Sequence, residues 1–104
     1  MAELPTLSES TAGGLEPDSV TFDICRRTID RSVLVSEEEI LHAMWLILET
    51  EHWVIEGAAG VAVAAFLQEA SRWQGKKAAI VICGRNVSSE VFHKMSSEVF
   101  HKLC

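Results

Sequence analysis

Apolar and polar positions alternate in blocks along the chain, and the clearest block predicts a helix that opens at Ser36. Ser36 and Glu39 have the spacing of a capping box, and acidic side chains stand where the helix dipole favours them. Apolar residues then recur at helical spacing until about residues 50–52. These residues are Ile40, Leu41, Met44, Trp45 and Leu48. A more ragged stripe over residues 18–30 predicts a shorter helix.

A further helix is predicted over residues 58–73, after a brief extended link at 53–55. It is apolar nearly all round and rich in Ala and Gly, so we expect it to be buried on more than one side. Small side chains would let another element approach it closely. Gly75, followed by two lysines, is expected to end this helix.

Two apolar runs predict buried strands. Residues 32–35 (SVLV) are short and β-branched, and residues 78–83 (AAIVIC) form a continuous run before a turn at 84–86. The order strand, helix, helix, strand is typical of the α/β class, and continuous apolar strands are typical of parallel sheets. Two parallel strands are not a stable sheet by themselves, so we expect them to belong to a larger sheet.

The two ends of the chain have different character. Residues 1–19 are rich in Ser, Thr, Gly, Pro and Glu and predict a loop or flexible lead-in. A last helix is predicted from residue 88 or 89, and it contains two octads, SSEVFHKM (88–95) and SSEVFHKL (96–103). We interpret the repeat as a local duplication or a gene-model scar, with a lengthened amphipathic helix as the alternative.

Composition narrows the class of protein. With 104 residues, 48% of them hydrophobic, the chain is one small domain and is too apolar to be disordered. A net charge of -6 argues against binding to nucleic acid. The longest apolar stretch, 57–67, is too short to span a bilayer, and no signal peptide is apparent, so no membrane partner is expected. Three cysteines without paired spacing favour the reducing cytoplasm.

A metal site is not expected. His93, His101 and Cys104 are the nearest approach to a ligand set, but two of them come from the octads and no further thiol or acid is placed to complete it.

Three motifs, in this order and spacing, resemble pyridoxal-phosphate-dependent threonine/serine dehydratases. They are VLVSEEEI at 33–40, EGAAGVAVAA at 56–65 and IVICGRN at 80–86. The resemblance covers roughly residues 12–90 and matches the C-terminal part of these enzymes, a group that includes hydroxyectoine-utilisation dehydratases and serine racemases. It implies a tryptophan-synthase-β-like domain (fold type II), of which residues 20–90 would be a partial three-layer αβα piece.

The resemblance also implies a reaction and a cofactor. Such enzymes use pyridoxal phosphate to remove water and then ammonia from a hydroxy amino acid, leaving a 2-oxoacid. Their aldimine-forming Lys lies in a Ser-x-x-Lys-like segment, and a Gly-rich loop holds the cofactor phosphate. The lysines of this chain, Lys76, Lys77, Lys94 and Lys102, lie outside such a motif. We therefore assign no catalytic residue and expect a C-terminal fragment that is inactive alone.

Four residues are expected to contact the cofactor by this resemblance. Cys83 would hydrogen-bond the pyridine nitrogen, Gly84 and Asn86 would shape the turn, and Glu56 would lie close to the ring. Each assignment has an alternative. Cys83 would be a small buried strand residue, and Gly84 and Asn86 would form an ordinary strand-to-helix turn. Glu56 would be an acidic residue at a helix N-terminus, stabilised by the helix dipole. Arg85 departs from the usual second Gly of this turn and is expected to point to solvent.

Some expectations stay broad. Ser10, Gly13 and Gly14 match only loosely a segment near the family's active-site entrance. The substrate is open among threonine, serine and hydroxyectoine-derived amino acids. The expected partner is another copy of the chain or a missing N-terminal half. A non-catalytic dimerisation or interaction module derived from such an enzyme is the alternative function.

Overall fold

The described part of the chain is helical. The computed structural model describes residues 5–8 and 19–103, with side chains up to residue 97. Within these residues there are four α-helices and one 3₁₀ turn. They are α1 (Val20–Thr28), α2 (Glu37–Glu51), α3 (Gly57–Gln68), the 3₁₀ turn (Ala70–Trp73) and α4 (Ser89–Leu103).

The predicted capping box at the start of α2 is confirmed. The Glu39 backbone N–H donates to the Ser36 hydroxyl at 3.1 Å, and the Ser36 N–H donates to the Glu39 carboxylate at 2.9 Å. The helix ends at Glu51, and His52 follows in the left-handed conformation with φ of 59°. The His52 N–H still bonds the Leu48 carbonyl at 3.0 Å, which closes the last turn.

The core lies where α3 packs against α2. A Cβ placed on Gly60 would stand 2.9 Å from Met44 Cγ and 3.2 Å from Ile40 Cγ2, so the two helices can approach this closely only because residue 60 has no side chain. The expected burial of the Ala- and Gly-rich helix is confirmed only in part, because Ala62, Ala65 and Phe66 are half-buried. The buried apolar residues are Ile40, Leu41, Ala43, Met44, Ile55, Ala59, Val63, Ala64 and Met95.

The helix predicted over 58–73 is shorter than expected. It ends at Gln68 because the chain tightens at Glu69, whose N–H bonds the Phe66 carbonyl at 3.2 Å. The Glu69 carboxylate forms an ion pair with Arg31, which ties the segment after α1 to the end of α3. The predicted stop at Gly75 is wrong, because Gly75 takes the left-handed conformation, with φ of +77°, only after the 3₁₀ turn that follows the helix.

The two predicted strands are wrong for this chain, since the described residues contain no strand. Residues 32–35 and 78–83 are not helical, and no backbone hydrogen bond joins them within the described ranges. A strand exists only when a neighbour satisfies its N–H and C=O groups, and neither segment has one here. The three-layer αβα arrangement is therefore not confirmed. The predicted helix over 18–30 is confirmed as α1, although it buries no residue.

Enlarging residue 60 tests the contact between α2 and α3. We expect Gly60→Val to lower the free energy of unfolding by about 1–3 kcal/mol, because the added methyl groups overpack the helix interface. Ala62→Val lies on the half-buried face of the same helix and should cost less than about 0.5 kcal/mol. Urea unfolding measures both, and equal losses would contradict this packing.

The capping box predicts a pH dependence. The pKa of Glu39 lies below its ordinary value of 4.5, chiefly because the Ser36 N–H donates to the carboxylate and secondarily because the Gln68 amide does. A lowered pKa stabilises the fold above the unfolded pKa, and this contribution disappears as the pH falls through the folded one. We expect the stability advantage of the wild type over Glu39→Gln to shrink between about pH 7 and about pH 3.

The control for this pH series is Glu38→Gln, which removes an acid from the same helical turn and leaves the capping box intact. The difference in the free energy of unfolding between Glu38→Gln and the wild type should vary less with pH. Denaturant titrations at each pH provide the comparison, and parallel curves for the two variants would contradict the assignment.

Candidate functional site

The site is built around Glu56, the N-cap of α3. The Glu56 N–H donates to the Gly84 carbonyl at 3.0 Å, and the Glu56 carbonyl accepts the first helical bond from Gly60 at 3.0 Å. This backbone bond joins the motif at 56–65 to the motif at 80–86. Two segments that are distant in sequence thus meet at one end of α3.

Three of the four predicted cofactor contacts lie side by side. The Cys83 thiol donates to Glu56 Oε1 at 3.9 Å, a long contact suited to sulfur. A Cβ on Gly84 would stand 2.8 Å from Glu56 Cδ, so the carboxylate occupies space that any other residue at 84 would fill. Cys83 is exposed, and the alternative of a small buried strand residue is wrong.

Asn86 stands at the centre of a tight turn that leads into α4. The Val87 N–H donates to the Arg85 carbonyl at 3.0 Å, which closes a three-residue turn. The Ser88 hydroxyl then accepts the Val91 N–H at 3.2 Å and caps α4. Arg85 is exposed, as expected.

Two cavities border this cluster. One of about 300 Å³ is lined by Glu56 and Asn86, by the first two residues of α3, and by residues 87, 88 and 91 around the start of α4. A second of about 470 Å³ is lined by Gly84 and Arg85 and by residues 52–55. The Glu56–Gly84 contact therefore joins the linings of both cavities.

The N-terminal segment 5–8 contributes to the site, and the sequence pattern did not predict this. The Leu7 N–H donates to the Glu37 carboxylate at 2.8 Å, and the Thr6 hydroxyl donates to the same group. A Cβ on Gly57 would stand 1.9 Å from the Leu7 carbonyl oxygen, so the segment lies directly on the first turn of α3. Leu7 also lines the smaller cavity. The only local signal is Leu7, a large apolar residue flanked by Thr6 and Ser8.

Other expectations fall outside this cluster. Ser10, Gly13 and Gly14 lie outside the described residues. In the described ranges, no group of three or more His, Cys, Asp or Glu residues is placed to hold a metal ion. The trio His93, His101 and Cys104 extends beyond the described side chains. None of the helices in the described part of the chain is long and apolar enough to cross a membrane.

Comparison with known proteins identifies the family. The family model described as "Pyridoxal-phosphate dependent enzyme" matches residues 1–84, which include the motif at 56–65 and the first five residues of the motif at 80–86. The chain belongs to this family.

The similar curated proteins are amino-acid dehydratases. An L-threonine ammonia-lyase of Thermotoga maritima is 38% identical over 88% of this chain, and a putative threonine dehydratase of Sinorhizobium fredii is 34% identical over 82%. A phenylserine dehydratase of Ralstonia pickettii is 30% identical over 72%. The matches span 22%, 26% and 23% of these relatives, so the chain spans about a quarter of their length. No solved structure matches significantly.

Two glycine substitutions test how the site is assembled. Gly57→Ala should release segment 5–8, because its Cβ meets the Leu7 backbone, which cannot give way as a side chain can. We expect faster hydrogen exchange at the Leu7 amide, measured by NMR. Gly84→Ala is the matched control, since its Cβ meets only the movable Glu56 carboxylate. It should shift the Glu56 carboxyl ¹³C resonance and leave Leu7 unchanged, and the reverse pattern would contradict the assembly.

Proposed function

We propose that this chain is part of a pyridoxal-phosphate-dependent ammonia-lyase of the threonine/serine dehydratase type. Such an enzyme eliminates water and then ammonia from a hydroxy amino acid and leaves a 2-oxoacid. The observation that carries the proposal is the hydrogen bond from Glu56 to Gly84, because it brings the two family motifs together with the Cys83 thiol between them. The names of the curated relatives support the same reaction.

The residues present fit one side of the cofactor. Cys83 offers a small neutral thiol that is exposed, and its single S–H would turn from the Glu56 carboxylate to the ring nitrogen when the cofactor binds. Gly84 leaves room for Glu56 to approach. We propose that these three residues and Asn86 hold the ring side of the cofactor. Binding of the phosphate and the covalent link to a lysine are assigned to other parts of the enzyme.

Pyridoxal phosphate, when bound, supplies an electron sink for charge that develops on the substrate's reacting carbon. A thiol is a much weaker acid–base partner for the ring nitrogen than a carboxylate, so Cys83 would leave that nitrogen largely unprotonated. This favours elimination over reactions that need a stronger sink. The Glu56 carboxylate, released from the thiol in this way, would hold a proton near the reacting carbons.

We also propose the wider architecture. Residues 20–90 would form the C-terminal part of a tryptophan-synthase-β-like αβα domain, with 1–19 as a lead-in and the octads at 88–103 as a helical tail. The family match ends at residue 84, before the octads, which supports the proposal that the octads are not part of the family domain. Completion by an N-terminal half or another copy of the chain, and a cytoplasmic location, are part of the same proposal. The family match does not favour a non-catalytic module.

The activity of the chain with and without a complement tests this function. Alone with pyridoxal phosphate, the chain should show neither a cofactor spectrum shifted from that of free pyridoxal phosphate nor formation of oxoacid from threonine or serine. Mixed with the part of the Sinorhizobium fredii relative that precedes its 86 matched residues, it should gain both. Turnover by the chain alone would contradict the proposal.

Two exposed cysteines then provide a matched pair. In the complemented enzyme, Cys83→Ala should lower kcat/KM by up to about tenfold, because one hydrogen bond of about 1 kcal/mol is lost. It should also shift the cofactor absorbance, since the ring nitrogen loses its partner. Cys25→Ala should change neither, and equal effects of the two variants would contradict the role of Cys83.

A further inference from the structure

Arg85 carries a permanent positive charge beside the candidate site. It follows Cys83 by two residues, so the Cα atoms of the two residues lie at most about 7 Å apart. The residue between them, Gly84, lies directly against the Glu56 carboxylate, since a Cβ on Gly84 would stand 2.9 Å from Oε1 and 3.0 Å from Oε2. Arg85 is exposed and lines the same cavity of about 470 Å³ as Gly84. The chain thus places a cation and a carboxylate around one thiol.

The turn does not use the Arg85 side chain. It is closed by the backbone, because the Val87 N–H donates to the Arg85 carbonyl at 3.0 Å. Within the described ranges, the guanidinium forms no hydrogen bond or ion pair with another residue. The enzymes that this chain resembles usually carry glycine at this position, so the turn needs no long side chain there. A charge that the turn does not require remains available to the site.

Charged groups are few around the two cavities at the site. In the part of the chain that the structure describes, their linings include one carboxylate, Glu56, and one guanidinium, Arg85. His52 adds an imidazole, which is charged only when it is protonated. Segment 5–8 and the residues around the start of α4 contribute only uncharged side chains to these linings. The electrostatic potential at neutral pH therefore depends chiefly on Glu56 and Arg85.

Glu56 and Cys83 act in opposite directions on a bound ring nitrogen. The uncharged thiol would leave that nitrogen unprotonated, whereas a carboxylate nearby favours the protonated, positively charged form. At an effective dielectric constant of about 20, a unit charge about 7 Å away shifts the titration of such a group by more than about one pH unit. A positive charge at a similar distance reverses this shift. Among the described lining residues, Arg85 provides that positive charge at neutral pH.

We propose, on the basis of the dehydratase function proposed above, that Arg85 is the counter-charge to Glu56 and keeps the ring nitrogen beside Cys83 unprotonated. Its charge acts through space, without contact with the substrate. Cys83 supplies the hydrogen bond, and Arg85 supplies the positive potential. Glu56 can then hold a proton near the reacting carbons without strengthening the electron sink, and elimination stays favoured.

Rates of thiol modification measure the charge of Arg85 at Cys83 in the chain alone. The probes are two aromatic disulfides, the doubly negative dithiobis-nitrobenzoate and the uncharged dithiodipyridine, at about pH 8, where histidine side chains ordinarily carry no charge. The ratio of their rates at Cys83, read by mass spectrometry of the labelled peptide, cancels the thiolate fraction, which both reagents share. We expect Arg85→Ala to lower this ratio about fivefold at low salt and Arg85→Lys to keep it.

Arg26→Ala is the matched control, since it removes the same charge from the exposed helix α1. In this variant the rate ratio at Cys83 should stay within about 1.5-fold of the wild type. Circular dichroism should show native helicity for all three variants. An unchanged ratio in Arg85→Ala, or an equal fall in Arg26→Ala, would overturn the proposal.

The ring nitrogen itself is followed in the complemented enzyme. The chain is combined with the part of the Sinorhizobium fredii relative that precedes its 86 matched residues, and with pyridoxal phosphate that carries ¹⁵N in the ring. By NMR, we expect the nitrogen to take up a proton at a pH about one unit higher in Arg85→Ala than in the wild type, and Arg85→Lys to keep the wild-type value. A purely structural role of Arg85 would not move this titration, and an unchanged titration in Arg85→Ala would overturn the proposal.

These measurements separate the inference from the proposed function. Oxoacid formation with a ring nitrogen that titrates alike in the wild type and Arg85→Ala supports the dehydratase function and overturns the role of Arg85. A shifted titration without oxoacid formation supports the role of Arg85 and contradicts the dehydratase function. A lowered rate ratio in a chain whose complex binds no pyridoxal phosphate contradicts the function, and the role at the ring nitrogen is then overturned with it.

Discussion

The close approach of α3 to its neighbours is the constraint on which the rest of this structure depends. Gly60 lets Met44 of α2 reach the helix surface, and Gly57 lets the Leu7 backbone lie across the first turn. Dispersion and burial stabilise such contacts only when the surfaces meet without gaps. Because Gly57 and Gly60 have no side chains, both α2 and segment 5–8 can pack directly on α3. The core and the N-terminal segment are therefore held by the same helix.

The candidate site follows from this placement. Because the first turn of α3 is fixed between α2 and segment 5–8, the Glu56 N–H points to one place, and the Gly84 carbonyl occupies it. Cys83 is then held beside the Glu56 carboxylate, and the turn at Asn86 leads directly into α4. The motifs at 56–65 and 80–86, which are separate in the sequence, therefore form one contiguous surface.

Sequence reasoning succeeded where the cause is local. The capping box at Ser36 and the amphipathic α2 each depend on residues a few positions apart, and the structure confirms both. It failed where the cause is a distant partner. Segment 78–83 has strand composition but no neighbour to pair with, and the contact of Leu7 with Gly57 has no local signature. The proximity of Glu56 and Cys83 was expected only through the family resemblance.

Detection of the Glu56–Gly84 hydrogen bond in solution tests the central claim most directly. NMR on the isolated chain can record the scalar coupling across this bond, between the Glu56 amide nitrogen and the Gly84 carbonyl carbon. The structure predicts a measurable coupling and slow exchange of the Glu56 amide. No coupling, with exchange at the rate of an unstructured peptide, would show that the two motifs do not meet and would contradict the site built on them.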